Sequence, residues 1–190
     1  MRYQLHRSMV YRYAFHMHQK ANLIENCRIG TLADLNTEDP TTISFLYDWV
    51  RWLVKEFSFD AIRIDTVKHV PKLFWPGYVD SSGVFAMGEI FHGDPAYVGP
   101  YQDYMPSVFN YPMYYTIRGI LYSPFSTITD VFNTQMDMRA IPERLDQNRK
   151  AFKDTTLLGV FIDNHDNPRF LNATTGNSHE KVFMLQINHC

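Results

Sequence analysis

Residues 59–70 (FDAIRIDTVKHV) place Arg63 and Asp65 two positions apart at the end of an apolar run. In a strand, residues i and i+2 share a face, so the guanidinium and the carboxylate point the same way. A second short apolar run, residues 84–90 (VFAMGEI), carries Glu89 near its end. Another, residues 157–162 (LLGVFI), runs into Asp163, Asn164, His165 and Asp166. Carboxylates that converge repel one another, so one is pushed toward its protonated form while a neighbouring cation holds another ionised. An unequal pair of this kind suits glycoside hydrolysis: one carboxylate attacks the anomeric carbon and a protonated acid gives its proton to the leaving oxygen. Each acid alone has a plainer reading as a turn residue or helix cap. Their recurrence at three strand ends, in order, is what points to chemistry.

Positioning these acids falls to alternating helices and strands. Across residues 41–57 (TTISFLYDWVRWLVKEF), Ile43, Leu46, Tyr47, Val50, Leu53, Val54 and Phe57 recur at steps of three and four, a helical stripe. Pro40 precedes it, where a first-turn proline is tolerated. Residues 59–65 read as a strand. Residues 67–78 read as helix limited by Pro71 and Pro76, and residues 84–90 and 107–111 as further strands. Residues 114–121 and 129–138 read as helices, 157–162 as the most apolar strand, and 181–187 as the start of one more helix. The alternation argues for α/β architecture with parallel strands, whose chemistry collects at the C-terminal strand ends. The separation of Asp65 and Glu89 suits one strand–helix–strand step. That of Glu89 and Asp166 leaves room for another strand and its helices.

The bulk composition excludes several classes. With 190 residues, 45% hydrophobic and 20% charged, the chain has globular composition and length for a sizeable core. A formal net charge of −2 gives no basic footprint for nucleic acid. No run of about 18 apolar residues is present to span a membrane. Residues 1–20 are locally basic and His-rich, without the apolar core of a signal peptide. Two cysteines far apart, Cys27 and Cys190, make no disulfide framework. An aromatic share of 15% fits either sugar- or base-stacking platforms or a Tyr/Phe-rich core.

Residues 59–70, 88–94 (GEIFHGD) and 161–170 (FIDNHDNPRF) resemble, in order, three conserved regions of the α-amylase family, glycoside hydrolase family 13. Residues 75–79 (WPGYV), 93–102 (GDPAYVGPYQ) and 110–115 (NYPMYY) are similar to the secreted fungal branch. Residues 31–36 (TLADLN) resemble a short region near the end of that family's inserted B domain. The resemblance implies a retaining double displacement on an α-1,4-glucan such as starch or glycogen, with endo action. Asp65 would be the nucleophile, Glu89 the general acid and then base, and Asp166 the residue that distorts the sugar and stabilises the transition state. Arg63 would hold Asp65 ionised, His165 would bond substrate hydroxyls, Lys68 and His69 would line the aglycone side, and Gly93 would approach the sugar through its backbone. The family's structural calcium would be held by Asp34, Glu25 and the backbone carbonyl of His69. The resemblance further implies a secreted, monomeric full enzyme, with a glycosylation sequon at Asn172.

A family barrel needs eight strand–helix units over typically ~250 residues, and this chain carries roughly four strands. The expectation is therefore a partial TIM (β/α)8 barrel, roughly strands 4 to 7 with their helices, preceded by the tail of a B-domain-like insertion. Residues 1–40 form the irregular segment and residues 41–190 the barrel portion. The alternatives are a catalytically incompetent, glucan-binding remnant, or a family transglycosylase or α-glucosidase using the same acids.

Overall fold

An amphipathic helix, α1 (Pro40–Phe57), leads into the sheet. Its start is specified locally. Asp39 accepts from the backbone N–H groups of Thr41 and Thr42 while Pro40 fills the first turn. Ser58 ends it in a left-handed conformation, φ 53°. The expected stripe faces inward at Val50 and Val54, and Ile43, Leu46 and Tyr47 pack at the edge of the core. In this computed structural model the described residues are 24, 25, 27, 32–117 and 139–167. The helices expected over 129–138 and 181–187, and Asn172, lie outside them.

Three parallel strands follow in spatial order: β1 (Ala61–Ile64), β2 (Phe85–Gly88) and β3 (Ser107–Val108). Ile64 pairs with Gly88, and Gly88 with Val108. Between β1 and β2 lie two 3-10 turns, Val67–His69 and Lys72–Phe74, and then α2 (Trp75–Ser82). The single helix expected over 67–78 is broken because Pro71 offers no N–H and biases Val70 to extended backbone. A one-turn helix α3 (Pro95–Val98) precedes β3, and α4 (Tyr111–Ile117) follows it. Residues 107–111 were expected to be strand, and 114–121 the next helix. Instead the strand stops at Val108 and the helix begins at Tyr111, where Asn110 caps it by accepting from Met113 N–H.

Helix α5 (Ala140–Ala151) has no clear apolar period, and its buried contact is a polar residue, Asn148. It was not legible as a helix for that reason. The strand expected over 157–162 is reduced to a 3-10 turn, Thr155–Leu157, and one parallel bridge from Gly159 to Phe109. With β3 only two residues long, there is little ladder for it to extend. The core between sheet and helices is fully buried at Val67, Ala86, Ile90, Val98 and Val108. A second, aromatic cluster of Tyr111, Tyr114 and Tyr115 packs with Phe91, Phe109 and Phe161.

Gly99 marks where α5 meets the 3-10 turn after α3 (Gly99–Asp103), because a Cβ there would land on the backbone carbonyl of Ala151. Backbone cannot swing aside as a side chain can. Gly99→Ala should therefore cost about 1–3 kcal/mol, as overpacking does, measured as a lowered urea midpoint. A variant as stable as the parent would refute this close approach.

Candidate active site

The sheet register brings the acids together. Glu89 N–H donates to the Ile64 carbonyl at 2.8 Å and Val67 N–H to the Glu89 carbonyl at 3.1 Å, so the ladder continues one residue past β1 and β2. Asp65 and Glu89 therefore stand side by side at the C-terminal sheet edge. Gly159 N–H to the Val108 carbonyl and Asn110 N–H to the Gly159 carbonyl tie in the segment leading to Asp166.

Arg63 lies among all three acids. Its guanidinium is 3.4 Å from Asp65, 3.7 Å from Glu89 and 3.3 Å from Asp166. The face of Phe109 backs it, 5.7 Å from the ring centroid. One cation cannot neutralise three anions, and the acids differ in exposure. The Glu89 side chain is 8% exposed, against 60% for Asp65 and 43% for Asp166. Burial raises the Glu89 pKa, helped by a hydrogen bond with Asp65. That same bond, and then the charge of Arg63, pull Asp65 down despite its partial burial. Burial and the neighbouring carboxyl thus favour the protonated form of Glu89 and the ionised form of Asp65, shifts in the opposed directions that acid–nucleophile pairs require.

The other expected residues fall into two groups. His165 Nε2 lies 3.2 Å from Asp166, and its exposed ring borders the acids. Lys68 is 4% exposed and points inward; its Nζ donates to the Phe91 carbonyl at 2.9 Å and sits near that ring. Burial pushes its pKa down to about 8, opposed by the charge of Glu89. Lys68 thus straps the turn after β1 to the loop after β2. His69 is half-buried with Nδ1 3.2 Å from the Ile24 carbonyl, and burial, then Lys68, lower its pKa. Gly93 lies in the loop after β2, where a Cβ would sit 3.2 Å from the Tyr115 ring.

Sequence reasoning missed Tyr111 and Asn164. Tyr111 hydroxyl donates to Glu89 Oε1 at 2.9 Å, and Asn164 Nδ2 donates to that hydroxyl at 3.1 Å. Asn164 adjoins His165, but nothing in NYPMYY distinguishes Tyr111 from Tyr114 or Tyr115.

The described residues do not assemble a calcium site. Among them, no three His, Cys, Asp or Glu side chains converge. Asp34 is exposed and its charge acts on His69, whereas that of Glu25 acts on Tyr97 and Tyr101. Calcium takes six to eight oxygens, more than these groups supply. A cavity of about 480 Å³ opens between α1 and β1, reaching from Trp49 to Arg63, Asp65 and His69 and bordered by Asp34.

A model of the alpha-amylase catalytic domain matches residues 75–189. The chain is 46% identical over 153 residues to a beta/alpha-amylase of Paenibacillus polymyxa, covering 80% of this chain and 12% of that one. The solved alpha-amylase of Malbranchea cinnamomea superposes with a TM-score of 0.71 at 38% identity, over 83% of this chain and 32% of that one. The alpha-amylase of Geobacillus thermoleovorans, solved with acarbose, gives 0.70 at 29% identity, over 82% and 34%. The chain thus spans between about an eighth and a third of the length of these relatives.

The opposed shifts of Glu89 and Asp65 have opposite consequences for stability. A raised Glu89 contributes fully below the ordinary glutamate pKa and loses its contribution as pH rises through the raised value. A depressed Asp65 contributes above the ordinary aspartate pKa and loses its contribution as pH falls through the depressed value. In Asp65→Ala, the Glu89 carboxyl should titrate at lower pH, yet still above an ordinary glutamate, because burial is the larger cause. Carboxyl ¹³C NMR reads this directly, and an unmoved Glu89 would show that the pair is not coupled.

Proposed function

Because the chain belongs to the alpha-amylase catalytic-domain family of glycoside hydrolases and has the fold of a partial (β/α) barrel, we propose that it carries the acid machinery of an endo-acting α-1,4-glucan hydrolase that retains anomeric configuration. The observation carrying this reading is the placing of Asp65 and Glu89 at 3.4 and 3.7 Å from one guanidinium, with the pKa of the first pulled down and that of the second pushed up. Inverting enzymes separate their carboxyls by ~6.5–9.5 Å to admit a water between them. Asp65 and Glu89 stand side by side at adjacent strand ends and share one guanidinium, a closeness that favours retention.

In the first step an Asp65 oxygen attacks the anomeric carbon while Glu89 gives its proton to the glycosidic oxygen. The glycosidic C–O bond breaks, the sugar alcohol departs, and a glycosyl ester on Asp65 remains. A water then attacks the same carbon as the Glu89 carboxylate takes its proton. The ester bond breaks and both acids return to their starting states. Asp166, 3.3 Å from Arg63, is the third acid, suited to the positive charge that develops on the sugar. His165 is exposed to meet substrate hydroxyls. His69 and the Gly93 backbone line the neighbouring loops, and Lys68 acts by holding its loop rather than by reaching out.

A structural calcium would draw on Asp34, Glu25 and the His69 carbonyl, together with oxygens from outside the described residues. No step of the reaction runs through it. Residues 41–190 form the barrel portion in this reading and residues 1–40 the tail of an insertion. The full enzyme is secreted and monomeric. A transglycosylase, in which a sugar replaces the water of the second step, would use the same acids.

On soluble starch with calcium, this chain with its flanking coding sequence restored should release reducing sugar, initially as the α-anomer. Glu89→Gln should cut kcat by about 10²–10⁴-fold, the usual contribution of a general acid–base. Absence of reducing sugar from the restored enzyme, or full activity in Glu89→Gln, would sink the assignment. Transfer products from maltoheptaose would move it to the transglycosylase.

A further inference from the structure

We propose that Tyr111 is a positioning residue that fixes the Glu89 carboxyl through Oε1 and favours its release of the proton, through a one-way chain of hydrogen bonds from the backbone of the loop that carries Asp166. This rests on the acid role proposed for Glu89.

The direction of the chain is dictated one link at a time. The backbone N–H of Asp166 can only donate, and its partner is Asn164, 3.1 Å away. That partner atom is therefore the amide oxygen Oδ1, which also accepts from Asn167 at 2.7 Å. With Oδ1 so occupied, the amide NH₂ of Asn164 faces the Tyr111 hydroxyl at 3.1 Å and donates to it. The phenol oxygen receives that bond and spends its single proton on Glu89 Oε1 at 2.9 Å. Oε1 is thus held as an acceptor, and its lone pair is fixed toward α4.

The other oxygen, Oε2, is held separately: Arg63 lies 3.7 Å from it and Thr66 N–H donates to it at 3.3 Å. The groups facing Glu89 are Arg63 from β1, Asp65 beyond it, Lys68 from the following turn and Tyr111 from α4. Among them Tyr111 is the side chain that donates a hydrogen bond to Oε1. As Glu89 loses its proton, negative charge grows on Oε1 and the phenol bond strengthens, which assists proton delivery. Tyr111 itself is 1% exposed and clamped by Phe91, Tyr114 and Phe161, so its hydroxyl cannot swing away. Because Asn164 and Asp166 share one short loop, the acid is oriented only when that loop is seated.

Tyr111→Phe keeps the ring and removes the donor. Asn164→Asp replaces the amide donor by a carboxylate that draws the phenol proton away from Glu89. Carboxyl ¹³C NMR of the chain, with Glu89 assigned by Glu89→Gln, should show Glu89 titrating at higher pH in both variants. With the flanking sequence restored, kcat should fall about tenfold in Tyr111→Phe with KM within twofold, the scale of one hydrogen bond to a charged group, and the high-pH limb of kcat should move up. A purely structural tyrosine would lower the melting temperature and leave the Glu89 titration in place. That result, or an unmoved titration in Asn164→Asp, overturns the relay. The titration needs no turnover. A shifted Glu89 in an inactive enzyme refutes only the hydrolase reading, and an unmoved Glu89 in an active one refutes only this one.

Discussion

The structure turns on the sharing of one guanidinium among three carboxylates. Arg63 contacts Asp65, Glu89 and Asp166, which arrive from three separate places in the chain. A planar, permanently charged fork can face several oxygens at once, which a lysine ammonium does less well. Because its single charge cannot satisfy three anions, the acids must differentiate. Burial decides which one yields: Glu89 is nearly enclosed, while Asp65 and Asp166 keep access to water. Everything beneath that edge, from the parallel register to the buried Val67–Ile90–Val108 core, serves to hold the three oxygen groups at the reach of one arginine.

The supporting layer is a second set of constraints. Lys68 is a cation pulled inward, its ammonium held by the Phe91 carbonyl and its charge near Glu89. Trp75 donates to the Val67 carbonyl and Tyr47 to the Phe74 carbonyl, pinning the turns after β1 to the helices behind them. The aromatic excess is divided between these anchors and the Tyr111 cluster. On the outer side, α1 packs mainly against α2, leaving Phe45, Trp49 and Trp52 exposed. Among the described residues β1 pairs only with β2. An apolar helix face and an unpaired strand edge fit a chain that spans about a third of its structural relatives.

The sequence by itself determined the local facts. Period-two alternation put Arg63 and Asp65 on one face, and apolar runs ending in acids located Glu89 and Asp166. A three–four stripe specified α1 over 41–57, one residue short of its observed start at Pro40. These are properties of short segments, decided by sterics, caps and side-chain periodicity. Only the tertiary structure decided which of three neighbouring tyrosines reaches Glu89, that Lys68 turns inward, that α5 forms over a polar buried residue, and that residues 157–162 contribute one bridge rather than a strand. Each of these depends on a partner far along the chain, and a hydrogen bond or ladder has no signature until register brings that partner within reach. The opposed shifts of Glu89 and Asp65 are of the same kind, because their main causes, burial and the neighbouring carboxyl, exist only once the strands have paired.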